Sequence, residues 1–144
     1  DMSYKNGPMV SPRIFREFLL PVYQRITAFF RSHGIDIVLV DTDGDVWTLI
    51  PLFLEGGVTG LYPFEVRGGM DVAAVRARYP RLQMLGGIDK TALEAGPAAI
   101  DAELARVAPV IRSGGYVPAG DHYIHPDVPW EHFRYYRQRL AELL

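Results

Sequence analysis

The stretch Ile35-Asp36-Ile37-Val38-Leu39-Val40-Asp41-Thr42-Asp43-Gly44-Asp45 decides the fold of this 144-residue chain. An apolar, β-branched run of this length, bounded by turn residues, is typical of a strand that is buried on both faces. The run ends in three carboxylates and a glycine, which permits a sharp turn. Carboxylates at the carboxyl end of a parallel strand lie where α/β proteins carry out their chemistry. The alternative, a solvated Asp-rich turn that caps the next helix, stays open.

The composition limits the class of protein. The chain has a formal net charge of -2, 49% hydrophobic residues and no Cys, which suits one globular domain or part of a larger one. Because there is no basic excess, we expect no nucleic-acid partner. The lack of Cys excludes disulfides and thiolate metal sites. No apolar run could span a membrane and no signal peptide is evident, so we expect a cytoplasmic protein without a membrane partner.

Helical and strand patterns alternate along the chain. A long amphipathic helix from Ser11 to Ser32 comes first, with its apolar residues on one face, and Pro21 inside it is expected to kink it. Residues 1–10 are expected to form a loop. This alternation predicts a parallel sheet flanked by helices. The strands are predicted at 36–41, 60–62, 82–85 and 116–118.

Polar residues follow three of these strands. Asp41, Asp43, Asp89 and His122 are therefore predicted to lie at one end of the sheet, around a shared cavity. Asp41, Asp43 and His122 are also a candidate metal site, because two carboxylates and an imidazole suit Mn, Fe(II) or Zn. An equally weighted alternative makes His122 a loop histidine bonded to nearby backbone. Lys90 is expected on a helix surface.

The segment from Val38 to Gly44 resembles the nucleophile loop of haloacid-dehalogenase-like phosphatases. In that family one Asp attacks phosphorus, and the Asp two residues later acts as acid and base. Two departures disfavour this alternative: Asp45 stands where the family has Thr, and a long helix precedes the strand.

Several segments together resemble the C-terminal half of the uroporphyrinogen decarboxylase superfamily, and the similarity runs through nearly the whole chain. The first helix is similar to the family's Ser-Pro-x-x-Phe-x-x-Phe-x-x-Pro motif. Three loops are similar to its Asp-Gly, Gly-Asn-Leu-Asp and His-Gly-x-x-Pro-Asp motifs. The matching segments here are Ser11-Pro12 with Phe15, Phe18 and Leu20-Pro21, then Asp43-Gly44, Gly86-Gly87-Ile88-Asp89, and His122-Tyr123-Ile124-His125-Pro126-Asp127.

The resemblance implies a (β/α)8 TIM barrel, of which residues 1–144 are a single partial domain: the four βα units of the C-terminal half. It implies an enzyme of porphyrin biosynthesis that removes carboxyl groups from the acetate side chains of a tetrapyrrole, without a cofactor. The site residues that we carry over are His122 and Asp43 as catalytic groups, and Asp41, Tyr62, Asp89 and His122 as substrate-binding groups.

Related methyltransferases, which transfer methyl groups between corrinoid proteins and coenzyme M, are an alternative. They require zinc, so this function would add a divalent Zn, Mn or Fe at Asp41, Asp43 and His122. They carry His-x-Cys where this chain has Asp41-Thr42-Asp43, and they need a later Cys. Under either function the partner is a small-molecule substrate, a tetrapyrrole or a methyl donor. A non-catalytic half-barrel module is a third possibility.

The family's essential aspartate and its arginine-rich loops belong to the N-terminal half. We therefore expect the isolated chain to be inactive, and either to form a homo-oligomer or to need the missing N-terminal half. An open half-barrel would also expose the inner face of its sheet. The side chains expected to meet water there are Val38, Val40, Leu61, Leu85 and Val117.

Overall fold

The computed structural model describes residues 1–144, and its centre is a parallel sheet of four strands. The strands are β3 (Leu39–Asp41), β4 (Gly60–Tyr62), β5 (Gln83–Ile88) and β6 (Tyr116–Gly120). Each strand pairs in parallel with the next one along the chain, so their order in the sheet is β3-β4-β5-β6. This confirms the predicted α/β class with a parallel sheet.

The helices lie before, between and after these strands. They are α1 (Pro12–Ile14), α2 (Leu20–Ser32), α3 (Ile50–Glu55), α4 (Val72–Arg78), α5 (Lys90–Ala95), α6 (Pro97–Arg112) and α7 (Trp130–Ala141). A 3-10 turn, Val66–Gly68, follows β4. No helix combines the length and the apolar character that a membrane crossing requires.

A π-helical turn, Phe15–Leu19, joins α1 to α2. Pro21 lacks an N–H, and its ring clashes with the carbonyl group four residues earlier in a regular helix. The wider turn places this irregularity just before Pro21, and the Leu20 N–H donates to the Phe15 carbonyl. The disturbance expected at Pro21 therefore takes the form of a π-turn in a helical segment that continues to Ser32.

The core lies between the sheet and the helices on one of its faces. Val40, Leu61, Met84 and Tyr116 are neighbours in one row across the four strands. The side chain of Val40 is half-buried, and those of the other three residues are buried. Because alternate residues of a strand point to opposite faces, this row fixes which side chains face away from the helices.

The opposite face of the sheet is open and apolar. Ile37, Leu39 and Val117 are 63%, 38% and 58% exposed, and with Leu85 they line a shallow hollow of about 300 Å³. The expectation that Val38, Val40 and Leu61 meet water was wrong: the first two are half-buried and Leu61 is buried. The phase of β3 and β4 turns those residues toward the helices.

The first long helical segment carries two apolar stripes, and not the single face expected. Phe15 is fully buried and stacks on Tyr23, so this stripe packs on the core. The second stripe is left exposed to solvent. It consists of Phe18, Val22, Ile26 and Phe29.

The N-terminal residues form a small hairpin where a loop was expected. Strands β1 (Ser3–Tyr4) and β2 (Gly7–Pro8) pair in antiparallel fashion. The hairpin covers the loop that follows β3: the Asp45 N–H donates to the Tyr4 carbonyl at 3.0 Å. A side chain at Gly44 would lie 2.6 Å from the Tyr4 backbone, so only glycine allows this close approach.

Candidate functional site

The carboxyl ends of three strands bring the predicted polar residues to one edge of the sheet. Asp41 ends β3, Asp43 follows it, Tyr62 ends β4, and His122 follows β6. All four residues line one open cavity of about 300 Å³. The structure therefore brings together four of the five residues singled out from the sequence.

Asp43 and His122 form a close pair of titratable groups in this cavity. The His122 Nε2 atom lies 3.5 Å from the Asp43 Oδ2 atom, and each side chain is 29% exposed. This places a carboxylate and an imidazole, two groups that can carry a proton, side by side. The His122 ring also packs edge-on against Tyr123, with 4.4 Å between the ring centres. The pair can therefore hold and exchange a proton at the cavity wall.

Asp41 and Tyr62 form the neighbouring wall. They are partners in the register of β3 and β4, so their side chains share the open face of the sheet. The negative charge of Asp41 raises the pKa of Tyr62, and desolvation adds to that shift. Tyr62 thus stays a neutral phenol near neutral pH, which can donate a hydrogen bond to a ligand.

Asp89 does not line this cavity. Its Oδ1 atom accepts hydrogen bonds from the Thr91 N–H at 2.9 Å and the Thr91 hydroxyl at 2.8 Å, which caps α5. Its Oδ2 atom lies 3.6 Å from the Arg67 Nε atom. The carboxylate is committed to the start of a helix and to an ion pair. The expected place of Asp89 around the shared cavity is therefore corrected.

Glu65 was missed in the sequence and lies beside the Asp43–His122 pair. Ligand atoms of Asp43, Glu65 and His122 are all within 4.8 Å of one another, whereas Asp41 is not part of this group. The Gly44 N–H donates to the Glu65 Oε2 atom at 3.0 Å. Asp41 and Asp43 would share a side only if the strand continued through both, and β3 ends at Asp41. The signal for Glu65 was its place in the loop that follows β4, three residues after the strand ends.

Lys90 lies between two carboxylates, so its expected place on the helix surface was wrong. Its side chain is 13% exposed, with Nζ 3.6 Å from Glu65 Oε1 and 3.8 Å from Asp121 Oδ1. Asp121 is fully buried and accepts hydrogen bonds from the N–H groups of Val66 and Lys90. Burial raises the pKa of Asp121, and the positive charge of Lys90 opposes that rise. These contacts tie together the loops after β4, β5 and β6.

Replacing Asp121 with alanine is expected to lower the free energy of unfolding by about 3 kcal/mol, because it leaves two buried N–H groups and part of the Lys90 charge without a partner. Urea denaturation would measure the change. Asp36→Ala is the matched control, since Asp36 is exposed. Equal midpoints for the two variants would contradict the structural role of Asp121.

Comparison with known proteins identifies the family. The sequence matches the model of the uroporphyrinogen decarboxylase (URO-D) family over residues 2–143. It is 28% identical over 131 residues to "Uroporphyrinogen decarboxylase" of Maricaulis maris, covering 90% of this chain and 37% of that protein. It is 30% identical over 144 residues to the protein of that name in Pseudomonas aeruginosa strain UCBPP-PA14, covering 95% and 39%. No solved structure matches the chain.

The chain therefore spans less than two fifths of the length of these curated relatives. The match nevertheless extends over nearly all of the chain itself, from the N-terminal hairpin to the last helix. This confirms the resemblance found in the loops that follow the strands: the chain belongs to the uroporphyrinogen decarboxylase (URO-D) family.

Proposed function

We propose that the full-length protein decarboxylates the acetate side chains of a uroporphyrinogen-like tetrapyrrole, without a cofactor. The observation that supports this most is the single cavity shared by Asp41, Asp43, Tyr62 and His122 at the carboxyl end of the sheet. Family membership supplies the reaction class, because the curated relatives carry the name uroporphyrinogen decarboxylase.

We also propose that the sheet is half of a (β/α)8 barrel. Such a barrel has eight parallel strands in sequential order with helices outside, and this chain supplies four strands in that order with its core on the helical face. The remaining strands would join at β3 and β6, the two edges of the sheet, and would cover the open apolar face. The cavity at the strand ends would then have a second wall from the other half.

The reaction needs an acid and a group that stabilises positive charge. Breaking the bond between the methylene carbon and the carboxylate releases CO2 and leaves an electron pair on that carbon. A pyrrole ring that has first been protonated can take up this pair. A second proton then converts the methylene to a methyl group, and loss of the ring proton restores the aromatic pyrrole. Imidazole exchanges protons near neutral pH, so His122 is our candidate for the proton donor.

The neighbouring groups have distinct roles in this proposal. Asp43, with its carboxylate 3.5 Å from the imidazole, supplies negative charge that stabilises the cationic ring. Tyr62 donates a hydrogen bond from its neutral phenol to a substrate carboxylate. Asp41 lies beside Tyr62 and orients it through their charge and register.

Product analysis of the full-length protein with uroporphyrinogen under anaerobic conditions tests this function. We expect products that have lost carboxyl groups one after another, each with a methyl group in place of an acetate arm. The Pseudomonas aeruginosa relative serves as the positive control. Unchanged substrate in the presence of folded protein, under conditions where the control reacts, would rule the function out.

A second candidate function is metal-dependent methyl transfer, which the group of Asp43, Glu65 and His122 favours. Two carboxylates and an imidazole with mutually close ligand atoms suit Zn, Mn or Fe(II), so this donor set fits a divalent ion. The ion would act as a Lewis acid and activate a thiol acceptor. The Gly44 N–H and Lys90 would orient Glu65 as a ligand.

Metal content separates the two functions. Elemental analysis of full-length protein purified without chelator is expected to find no stoichiometric metal if the protein is the cofactor-free decarboxylase. Methyl transfer instead predicts close to one Zn, Mn or Fe per chain. That metal should be lost in Glu65→Gln or Asp43→Ala and retained in Asp41→Asn, because Asp41 lies outside the ligand group.

A further inference from the structure

A larger cavity lies at the opposite end of the sheet from the candidate site. It has a volume of about 620 Å³ and is lined by residues at the amino ends of β4 and β5, among them Thr59 and Gln83. The last turns of α2 and α4 form its rim through Arg31 and Arg78. Its size is that of a small-molecule site.

The charge of this cleft is entirely positive. Arg31, Arg78 and Arg81 line it, and none of its ten lining residues is acidic. None of these three arginines belongs to an ion pair, whereas five other arginines of the chain do: Arg13, Arg16, Arg67, Arg106 and Arg139. The protein as a whole has a formal net charge of -2. The local positive charge of the cleft is therefore opposite in sign to the net charge of the chain.

Arg76 does not line the cleft, but its hydrogen bonds hold part of the rim in place. Its Nη1 atom donates to the carbonyls of Pro80 at 2.7 Å and Leu82 at 2.9 Å, on either side of Arg81. Its Nη2 atom donates to the carbonyls of Gly114 and Gly115, at 2.9 and 3.0 Å. Two of these four backbone contacts fix the segment that carries Arg81, and the other two connect it to the loop before β6. Arg76 also adds a further positive charge without a carboxylate partner.

The donors of the cleft are positioned and still free to bind. The Arg78 guanidinium lies over the Tyr79 ring, 5.7 Å from its centre, a contact that uses none of its hydrogen-bond donors. Arg31 donates one bond from Nη2 to the Gly57 carbonyl, which leaves other donors of its planar fork. The side-chain Oε1 atom of Gln83 accepts from the Thr59 hydroxyl, so the side-chain N–H groups of Gln83 are directed elsewhere.

We propose that this cleft binds a small anion that carries at least two carboxylate or phosphate groups. Planar guanidinium forks bind both kinds of group in a bidentate manner. Several forks around one cavity favour a ligand with several anionic groups over a single small anion. The site is separate from the cavity that contains His122, because the two cavities share no lining residue.

Isothermal titration calorimetry on the full-length protein tests the proposal with two probes, inorganic pyrophosphate for the phosphate class and citrate for the carboxylate class. At least one probe is expected to bind saturably, one per chain, and acetate at equal ionic strength is not. Arg81→Gln should weaken binding about tenfold or more, the effect of losing a hydrogen bond to a charged group. Arg31→Gln should weaken it similarly.

Arg134→Gln is the matched control, because Arg134 is an exposed arginine on α7 outside the cleft. It should leave the affinity unchanged. Arg81→Lys keeps the positive charge but removes the planar guanidinium. We expect its affinity to lie between those of the unmodified protein and Arg81→Gln. Circular dichroism on every variant verifies folding. Absence of saturable binding by both probes, or equal weakening by Arg134→Gln and Arg81→Gln, would overturn the proposal.

Discussion

Replacing His122 with glutamine in the full-length protein is expected to lower kcat for decarboxylation by about two to four orders of magnitude, the usual contribution of a positioned proton donor. Glutamine keeps the size and a hydrogen-bond donor but cannot deliver a proton. KM should change much less, because substrate contacts from the other cavity residues remain. Asp43→Asn should cause a smaller loss, since it removes only the charge 3.5 Å from the imidazole.

His33→Gln is the matched control for this prediction. His33 is an exposed histidine at the end of α2, and its Nδ1 atom contacts the Phe29 carbonyl at 2.9 Å. It lies outside the cavity that contains His122. Its substitution should leave kcat unchanged. A His122→Gln variant with the kcat of the unmodified protein would remove His122 from the mechanism.

The isolated 144-residue chain is expected to self-associate. Its open sheet face exposes Ile37, Leu39 and Val117, and burying each such side chain contributes on the order of 1.5–3 kcal/mol. The edge strand β3 also offers unpaired backbone groups, and no Pro or Lys protects it. Size-exclusion chromatography with light scattering should therefore give a mass above the 16.2 kDa of one chain.

Lysine substitutions test whether the chain associates through this open sheet face or through nonspecific aggregation. Ile37→Lys combined with Val117→Lys should shift the chain toward the monomer, because the charges would have to be buried on association. Leu144→Lys should not, although Leu144 is 77% exposed, because it follows the last helix and does not line the hollow on the open sheet face. A monodisperse species of 16.2 kDa that unfolds cooperatively without any substitution would contradict the half-barrel proposal.

The sheet was predictable because it depends on periodicity along the chain. Alternating helix and strand patterns gave four parallel strands in sequential order, as the structure has them. The faces of β3 were not predictable, because the apolar run from Ile35 to Val40 offers no polar residue at its centre to set the phase. Gly86 and Gly87, which the sequence placed in a loop, belong to β5 with positive φ angles of 107° and 72°.

The candidate site was predictable only in part. The ends of the strands indicated Asp41, Asp43 and His122 because parallel strands present their carboxyl ends at one edge. The network of Glu65, Lys90 and Asp121 joins loops that are far apart in sequence, and no local spacing encodes such contacts. Asp89 had a local signal of another kind: an Asp two residues before Thr91 is typical of a helix cap.

The rate of CO2 release from uroporphyrinogen by full-length protein, measured before and after removal of metal with a chelator, tests the central claim most directly. A decarboxylase that relies on the proton of His122, and on no cofactor, predicts the same rate in both preparations. No CO2 release by folded protein, or a rate that is lost with the metal and restored by zinc, would contradict the account.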